Sequence, residues 1–251
     1  MRSRQYRIFA GDFETTVYKG QDHTEVWAAA LVEINTEDVF VTNNIEDFFN
    51  LLFELMKKTN IKVYFHNLKF DGSFVLDHYI RFRRFHQAYY LTDPMDPYSA
   101  VWHKDKNMKN GDFKYLISDM GQWYMIQLKL HGHVLQIVDS FKLLPFSLSS
   151  IGKSFETKHR KTSIEYTGYR YAGGVITDQE RDYIANDVLV LKEALEVMFA
   201  EGHDKLTIGA CCLQEFKGLT GFYDFGEMYP DMKKWKLDKE IYGAPDADAY
   251  I

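Results

Sequence analysis

The stretch Thr177-Asp-Gln-Glu-Arg-Asp-Tyr-Ile-Ala-Asn-Asp-Val-Leu-Val-Leu191 decides how this chain is read. Thr177 and Glu180 stand three apart, the spacing of a capping box in which each side chain satisfies a backbone N–H at a helix start. Beyond them Ile184, Val188, Leu191, Leu195 and Met198 recur at intervals of three and four, which predicts an amphipathic helix over residues 178–200. Asp187 falls inside that apolar stripe. A carboxylate on a buried helical face is costly unless a cation or strong donors compensate it, so Asp187 reads as a metal ligand ahead of a satisfied structural acid. Tyr183, one turn earlier, points to the same side.

Working outward, two more segments supply acids. The apolar, aromatic run from Tyr6 to Phe13 is too short for a helix and predicts a buried strand; Asp12 and Glu14, two apart, share one of its faces. Such a pair alone is common at solvated strand ends. A second run, Ile61 to Phe65, predicts another strand, and Phe74, Val75 and Tyr79 predict a helix over residues 71–83. Asp71 at its start reads equally as a helix N-cap or as a ligand. Hard divalent cations take oxygen donors, and two of them about 3.5–4 Å apart need several carboxylates, at least one of them shared. Asp12, Glu14, Asp71 and Asp187 are acids of the right kind and number for that.

The remaining pattern is three strands, a helix from Ile45 to Lys58, the strand and helix just described, a polar insertion from Tyr89 to Asp112, a hairpin turning at His131-Gly-His133, and two C-terminal helices. Pro94, Pro97 and Gly111 mark the insertion as a mobile excursion beside the site. Mixed strands followed by helices define an α/β three-layer class. At 251 residues and 46% hydrophobic, without repeats, the chain can bury one sizeable core. A net charge of −6 does not announce a nucleic-acid binder, but metal-holding acids count against the total, while Arg81, Arg83, Arg84 and the run Lys158 to Lys161 give local positive charge. Adjacent Cys211 and Cys212 fit neither a disulfide framework nor zinc spacing, and His131 and His133 lack further ligands. No phosphate-cradling glycine loop or nucleophile elbow occurs. With no signal peptide and no apolar span of membrane length, a cytoplasmic protein without membrane contact is expected.

These residues carry a resemblance. Asp12-Phe-Glu14-Thr15, Asn67-Leu-Lys-Phe-Asp71 and Tyr183-Ile-Ala-Asn-Asp187 are similar to the ExoI, ExoII and ExoIII motifs of the proofreading domain of family B DNA polymerases, with tyrosine in the third. The strings Tyr64-Phe-His-Asn-Leu-Lys-Phe-Asp-Gly72, Met120-Gly-Gln-Trp-Tyr-Met-Ile126, Asp139-Ser-Phe-Lys-Leu-Leu-Pro-Phe146 and Leu237-Asp-Lys-Glu-Ile241 resemble the protein-primed bacteriophage members along nearly the whole chain. The resemblance implies a ribonuclease H-like three-layer domain with a mixed central sheet. It further implies a monomeric 3′→5′ exonuclease domain over residues 1–222, with 223–251 starting the connection towards a polymerase domain that this chain lacks. The linker and palm motifs of that half find only imitations, at Tyr171-Ala-Gly-Gly174 and Asp224-Phe-Gly-Glu-Met-Tyr-Pro230.

Position by position, the resemblance implies that Asp12, Glu14 and Asp187 hold one Mg2+ or Mn2+, that Asp12 and Asp71 hold a second, and that Tyr183 orients the attacking water. Lys161 of Lys161-Thr-Ser-Ile-Glu-Tyr166 is expected to meet the scissile phosphate, with Tyr166 supporting the site. Thr15, Asn67, Phe70, Ser140 and Phe141 match positions that hold a single-stranded DNA 3′ end, Phe70 and Phe141 by stacking and the others by hydrogen bonds. His66 and Phe74 match positions that meet a terminal protein, the source of the priming hydroxyl; they read equally as a bracing donor and a core residue. Two other functions stay open: an RNA-trimming exonuclease, and a catalytically weak module that binds single strands or the terminal protein.

Overall fold

A computed structural model describes residues 5–164, 168–221, 225 and 227–229. The chain divides into two compact units, Met1–Ile208 and Gly209–Ile251. In the first, strand β1 (Tyr6–Thr15) pairs antiparallel with β2 (Val26–Glu33) and parallel with β4 (Asn60–Phe65). Strand β3 (Val39–Thr42) extends the β2 edge, and helix α1 (Ile45–Met56), capped by Asn44, carries the chain back to β4. Beyond β4 lie β10 (His133–Asp139), parallel to it, then β9 (Trp123–Leu130) and β8 (Asp112–Ile117), each antiparallel to its neighbour, and the short edge strand β5 (His86–Gln87). The result is an eight-stranded mixed sheet.

Alternation along β1 sorts its side chains by chemistry. Phe9 and Phe13 join Ile61, Val63, Phe65, Leu135 and Ile137 in one cluster with α1 and with helix α2 (Leu68–Asp77). Phe13 meets Phe48 of α1 and Phe65 of β4 edge-on, at 5.0 and 4.9 Å between ring centres. Between the two phenylalanines Gly11 stays bare because a Cβ there would come within 3.1 Å of the Phe65 ring. Ala10, Asp12 and Glu14 point to the opposite face, beside Ala28 and Ala30 of β2. These small residues admit helix α4 (Asp178–Ala200), which packs on β1 and β2 and begins at the expected Thr177–Glu180 capping box. Helix α3 (Leu148–Ser154) packs on α4. The layers are therefore α1 with α2, the sheet, and α4.

The structure departs from the sequence expectations at several boundaries. Helix α2 starts at Leu68, three residues before Asp71, after Asn67 in the left-handed region (φ 69°), so Asp71 is not its N-cap. The helix ends at Asp77 and continues as a π-helical turn, His78–Phe82. His131 and Gly132, at φ 52° and 79°, form the two-residue turn between β9 and β10, as the spacing suggested. The polar insertion is tied down: β6 (Tyr89–Leu91) and β7 (Ala100–Trp102) form a ribbon. Asp105 anchors the following stretch by accepting from Lys114 Nζ of β8 at 2.6 Å and Gln127 Nε2 of β9 at 3.0 Å. In the second unit, which takes in most of helix α5 (Ile208–Thr220), Phe216, Phe225 and Tyr229 cluster within 6.1 Å. Cys211 and Cys212 are free thiols, and no described helix is long and apolar enough to cross a membrane.

Gly72 of α2 supports the Trp123 ring: a Cβ there would lie 2.7 and 2.8 Å from two ring carbons. In Gly72→Ala the overpacking outweighs the gain in helix propensity, and urea unfolding is expected to show a net loss of about 1–2 kcal/mol.

Candidate metal centre

Asp12 and Glu14 from β1 and Asp187 from α4 bring one oxygen each within 4.8 Å of one another. Among the described residues they are the group that gathers three ligand atoms; His131 and His133 join none. A bulge follows at once, Glu14 facing Ala28 while Thr15 faces Val26, so β1 turns away just after its second acid. Asp187 is buried, as its place in the apolar stripe required, and Asp12 and Glu14 are half-buried. Asp71, the fourth residue of α2, is also buried and lies outside the 4.8 Å group.

Electrostatics show how uneasily these acids coexist. Burial pushes the Asp12 carboxyl well above the usual range, and the charges of Asp71, Glu14 and Asp187 add to the shift while Lys161 opposes it. Burial, then Glu14 and Asp139, push Asp71 up to about 8 against the effect of a backbone N–H. Asp187 is raised by burial and partly relieved by Lys161. One oxygen each of Asp71 and Asp187 is buried with no hydrogen-bond partner among the described residues. Inward-facing carboxylate oxygens without thiols or imidazoles are the donor set that suits a hard divalent cation, so the residues present fit one.

The Lys161 ammonium pairs with Asp187 Oδ2 and lies 5.7 Å from the centre of the Tyr183 ring. Burial works against that charge, but Asp187, Tyr183 and Asp12 outweigh it and leave the Lys161 pKa raised. Tyr183 is half-buried, its phenol raised by burial and then by Glu14. Residues not singled out in the sequence hold this arrangement. Glu193 of α4 accepts from the His159 amide at 3.2 Å and meets its Nδ1 at 2.5 Å, and Asn186 Nδ2 donates to Arg160 O at 2.5 Å. Glu193 and Asn186 are seven apart, two turns along one helix face, a spacing that carries no signal without the loop it clamps. Tyr166 lies outside the described residues.

Among the expected DNA contacts Asn67, Ser140 and Phe141 gather in one rim around Asp139 and His66, and the set is of unequal character. Asn67 is exposed, Phe70 is 51% and Phe141 37% exposed, and Thr15 is half-buried. Ser140 is different: it is fully buried, and its hydroxyl donates to Phe65 O at 2.9 Å and sits 3.0 Å from His66 Nδ1. It therefore braces the turn in this conformation. His66 also braces it, with Nε2 2.7 Å from Phe146 O and a pKa lowered chiefly by burial. Phe74 packs against the core cluster and touches Phe70 edge-on at 5.7 Å.

The mixed sheet, with two acids on an inner strand and a third on the helix packed across it, fits a ribonuclease H-like domain. Residues 53–174 match the family described as DNA polymerase type B, organellar and viral. The DNA polymerase of Bacillus phage B103 is 32% identical over 244 residues, 94% of this chain and 38% of that protein. The enzyme of Streptococcus phage Cp-1 is 30% identical over 256 residues, covering 94% of this chain and 39% of its own. A solved structure described as phi29 DNA polymerase complexed with single-stranded DNA superposes with a TM-score of 0.74 at 29% identity, over 88% of this chain and 36% of that one. The chain belongs with these bacteriophage type B DNA polymerases and corresponds to their N-terminal region. It spans about two fifths of their length.

Because folding raises the pKa of Asp12 and Asp71, the folded metal-free protein keeps protons that the unfolded chain releases above about pH 4. The contribution of these two groups to stability is therefore greatest near pH 4 and falls as pH rises towards about 8. Thermal melts in EDTA should show this decline. Manganese should reverse it, and Asp71→Asn should flatten it.

Proposed function

We propose that this chain is a 3′→5′ exonuclease domain that shortens single-stranded DNA from its 3′ end by two-metal phosphodiester hydrolysis. It would be the editing part of a protein-primed phage polymerase. The observation that carries this reading is the meeting of Asp12, Glu14 and Asp187 within 4.8 Å. Asp12, Glu14 and Asp187 would hold one Mg2+ or Mn2+, and Asp12 with Asp71 the other. When bound, such cations supply Lewis acidity, neutralising charge that builds on the phosphate as the ester bond breaks.

The chain's own groups supply the rest. The raised Tyr183 phenol stays protonated near neutral pH and can hold a water by hydrogen bond beside Glu14, whose charge contributes to that shift. Lys161, already drawn in by Asp187, has an ammonium to offer a phosphate oxygen once the carboxylates have another counter-charge. Phe70 and Phe141 expose ring surface for stacking on terminal bases, and the exposed Asn67 and half-buried Thr15 offer hydrogen bonds. Ser140 and His66 support this grip by bracing the turn that carries Phe141. In the full-length context a terminal protein would meet the same rim near His66 and Phe74. All the described groups in this scheme lie within the unit Met1–Ile208.

A 5′-labelled single-stranded DNA incubated with the chain and magnesium or manganese should yield a ladder shortened stepwise from the 3′ end. The double change Asp12→Ala with Asp71→Ala should lower the rate by about a thousandfold or more, and Tyr183→Phe by about ten- to a hundredfold. Equal activity in the double variant would remove these carboxylates from the mechanism. A tenfold or greater preference for RNA, on the order of 1.4 kcal/mol, would move the substrate to RNA.

A further inference from the structure

Asp139, the last residue of β10, is 2% exposed and sits under the first turn of α2. Its Oδ1 accepts from the amides of Asn67 at 3.0 Å, Leu68 at 3.2 Å and Phe141 at 3.0 Å. The first N–H groups of a helix need acceptors, and the residue before α2 cannot serve, because Asn67 is left-handed and its side chain makes no capping bond. A carboxylate reaching across from a strand 72 positions away does so instead. Lys142 Nζ lies 3.8 Å from Oδ2 and is its cationic partner among the described residues.

The three amides belong to two different parts of the site. Asn67 and Leu68 open the helix whose fourth residue is Asp71, while Phe141 lies on the turn that follows β10. From this geometry we infer that Asp139 is a positioning residue that sets the Asp71 carboxylate and the Asn67–Phe141 rim together, so that one side chain couples cation binding to the grip on a single strand. It touches neither cation nor DNA itself. The inference rests on the two-metal reading above.

The test uses the whole chain and two binding measurements that need no turnover: Mn2+ titration by calorimetry, and anisotropy of a fluorescent single-stranded oligonucleotide. Asp139→Ala removes the acceptor and is expected to weaken Mn2+ and DNA binding by about tenfold each, with faster hydrogen exchange of the amides from Asn67 to Asp71. Asp139→Asn keeps an acceptor oxygen and should restore both affinities to within about threefold of wild type. Asp71→Asn should weaken Mn2+ binding alone, a separation that general loss of fold would not give. If the alanine variant melts below the assay temperature, Asp139→Leu, which keeps the bulk of the side chain without an acceptor, carries the same comparison. A folded Asp139→Ala or Asp139→Leu variant with wild-type affinities overturns the positioning role. A wild-type chain that binds no Mn2+ overturns the two-metal reading itself, before any variant is compared.

Discussion

Withdrawal of several carboxylates from water, with the repulsion of neighbouring acids added to it, is the constraint around which this molecule is built. Asp12, Asp71 and Asp187 are all raised by burial, and neighbouring acids add to the shift at Asp12 and Asp71. Such a cluster persists only where the surrounding packing leaves the acids no other place to go. The aromatic cluster around Phe13, Phe48 and Phe65 fixes β1 from below, and α4 closes over its other face. Hydrophobic burial on one side thus offsets electrostatic cost on the other.

The bonds that hold the polar parts follow from the same demand. Lys161 answers Asp187 directly, and the segment that delivers it is fastened to α4 by Glu193 and Asn186. Asp139 fastens α2 in a comparable way, through backbone amides and not through a cation. The rim is heterogeneous for this reason: Ser140 and His66 are bonded into the turn, while the rings of Phe70 and Phe141 are left to solvent. Residues that brace and residues that present a surface stand next to one another in sequence.

Much of this was legible before the structure. The stripe through Ile184, Val188 and Leu191 located α4 and placed Asp187 on its buried face, and the threonine–glutamate spacing gave its first residue. The apolar run Tyr6 to Phe13 gave the strand, and the spacing of two put Asp12 and Glu14 on one of its faces. What was not legible depended on partners far away in the chain. The start of α2 lay hidden because its capping acceptor comes from β10 and because asparagine tolerates the left-handed region that ends the preceding strand. The polar insertion looked loose because the hold of Asp105 on Lys114 and Gln127 exists only once β8 and β9 are side by side. Strand β8 and helix α3 escaped notice for want of a long apolar pattern: α3 buries Ile151 and Gly152, and β8 buries Phe113.

The alternation Phe9, Ala10, Gly11, Asp12, Phe13, Glu14 has a consequence for how mistakes in assembly are rejected. Sliding β1 by one residue against its neighbours would drive the two carboxylates into the aromatic cluster and turn the phenylalanines towards α4. Since β1 is held antiparallel by β2 and parallel by β4, a slipped strand would have to break faith with both at once. A misaligned chain therefore cannot settle into a near-native form with a blurred carboxylate cluster. The cluster of Asp12, Glu14 and Asp187 is either in register or absent, and its geometry is inherited from the accuracy with which one strand finds its two neighbours.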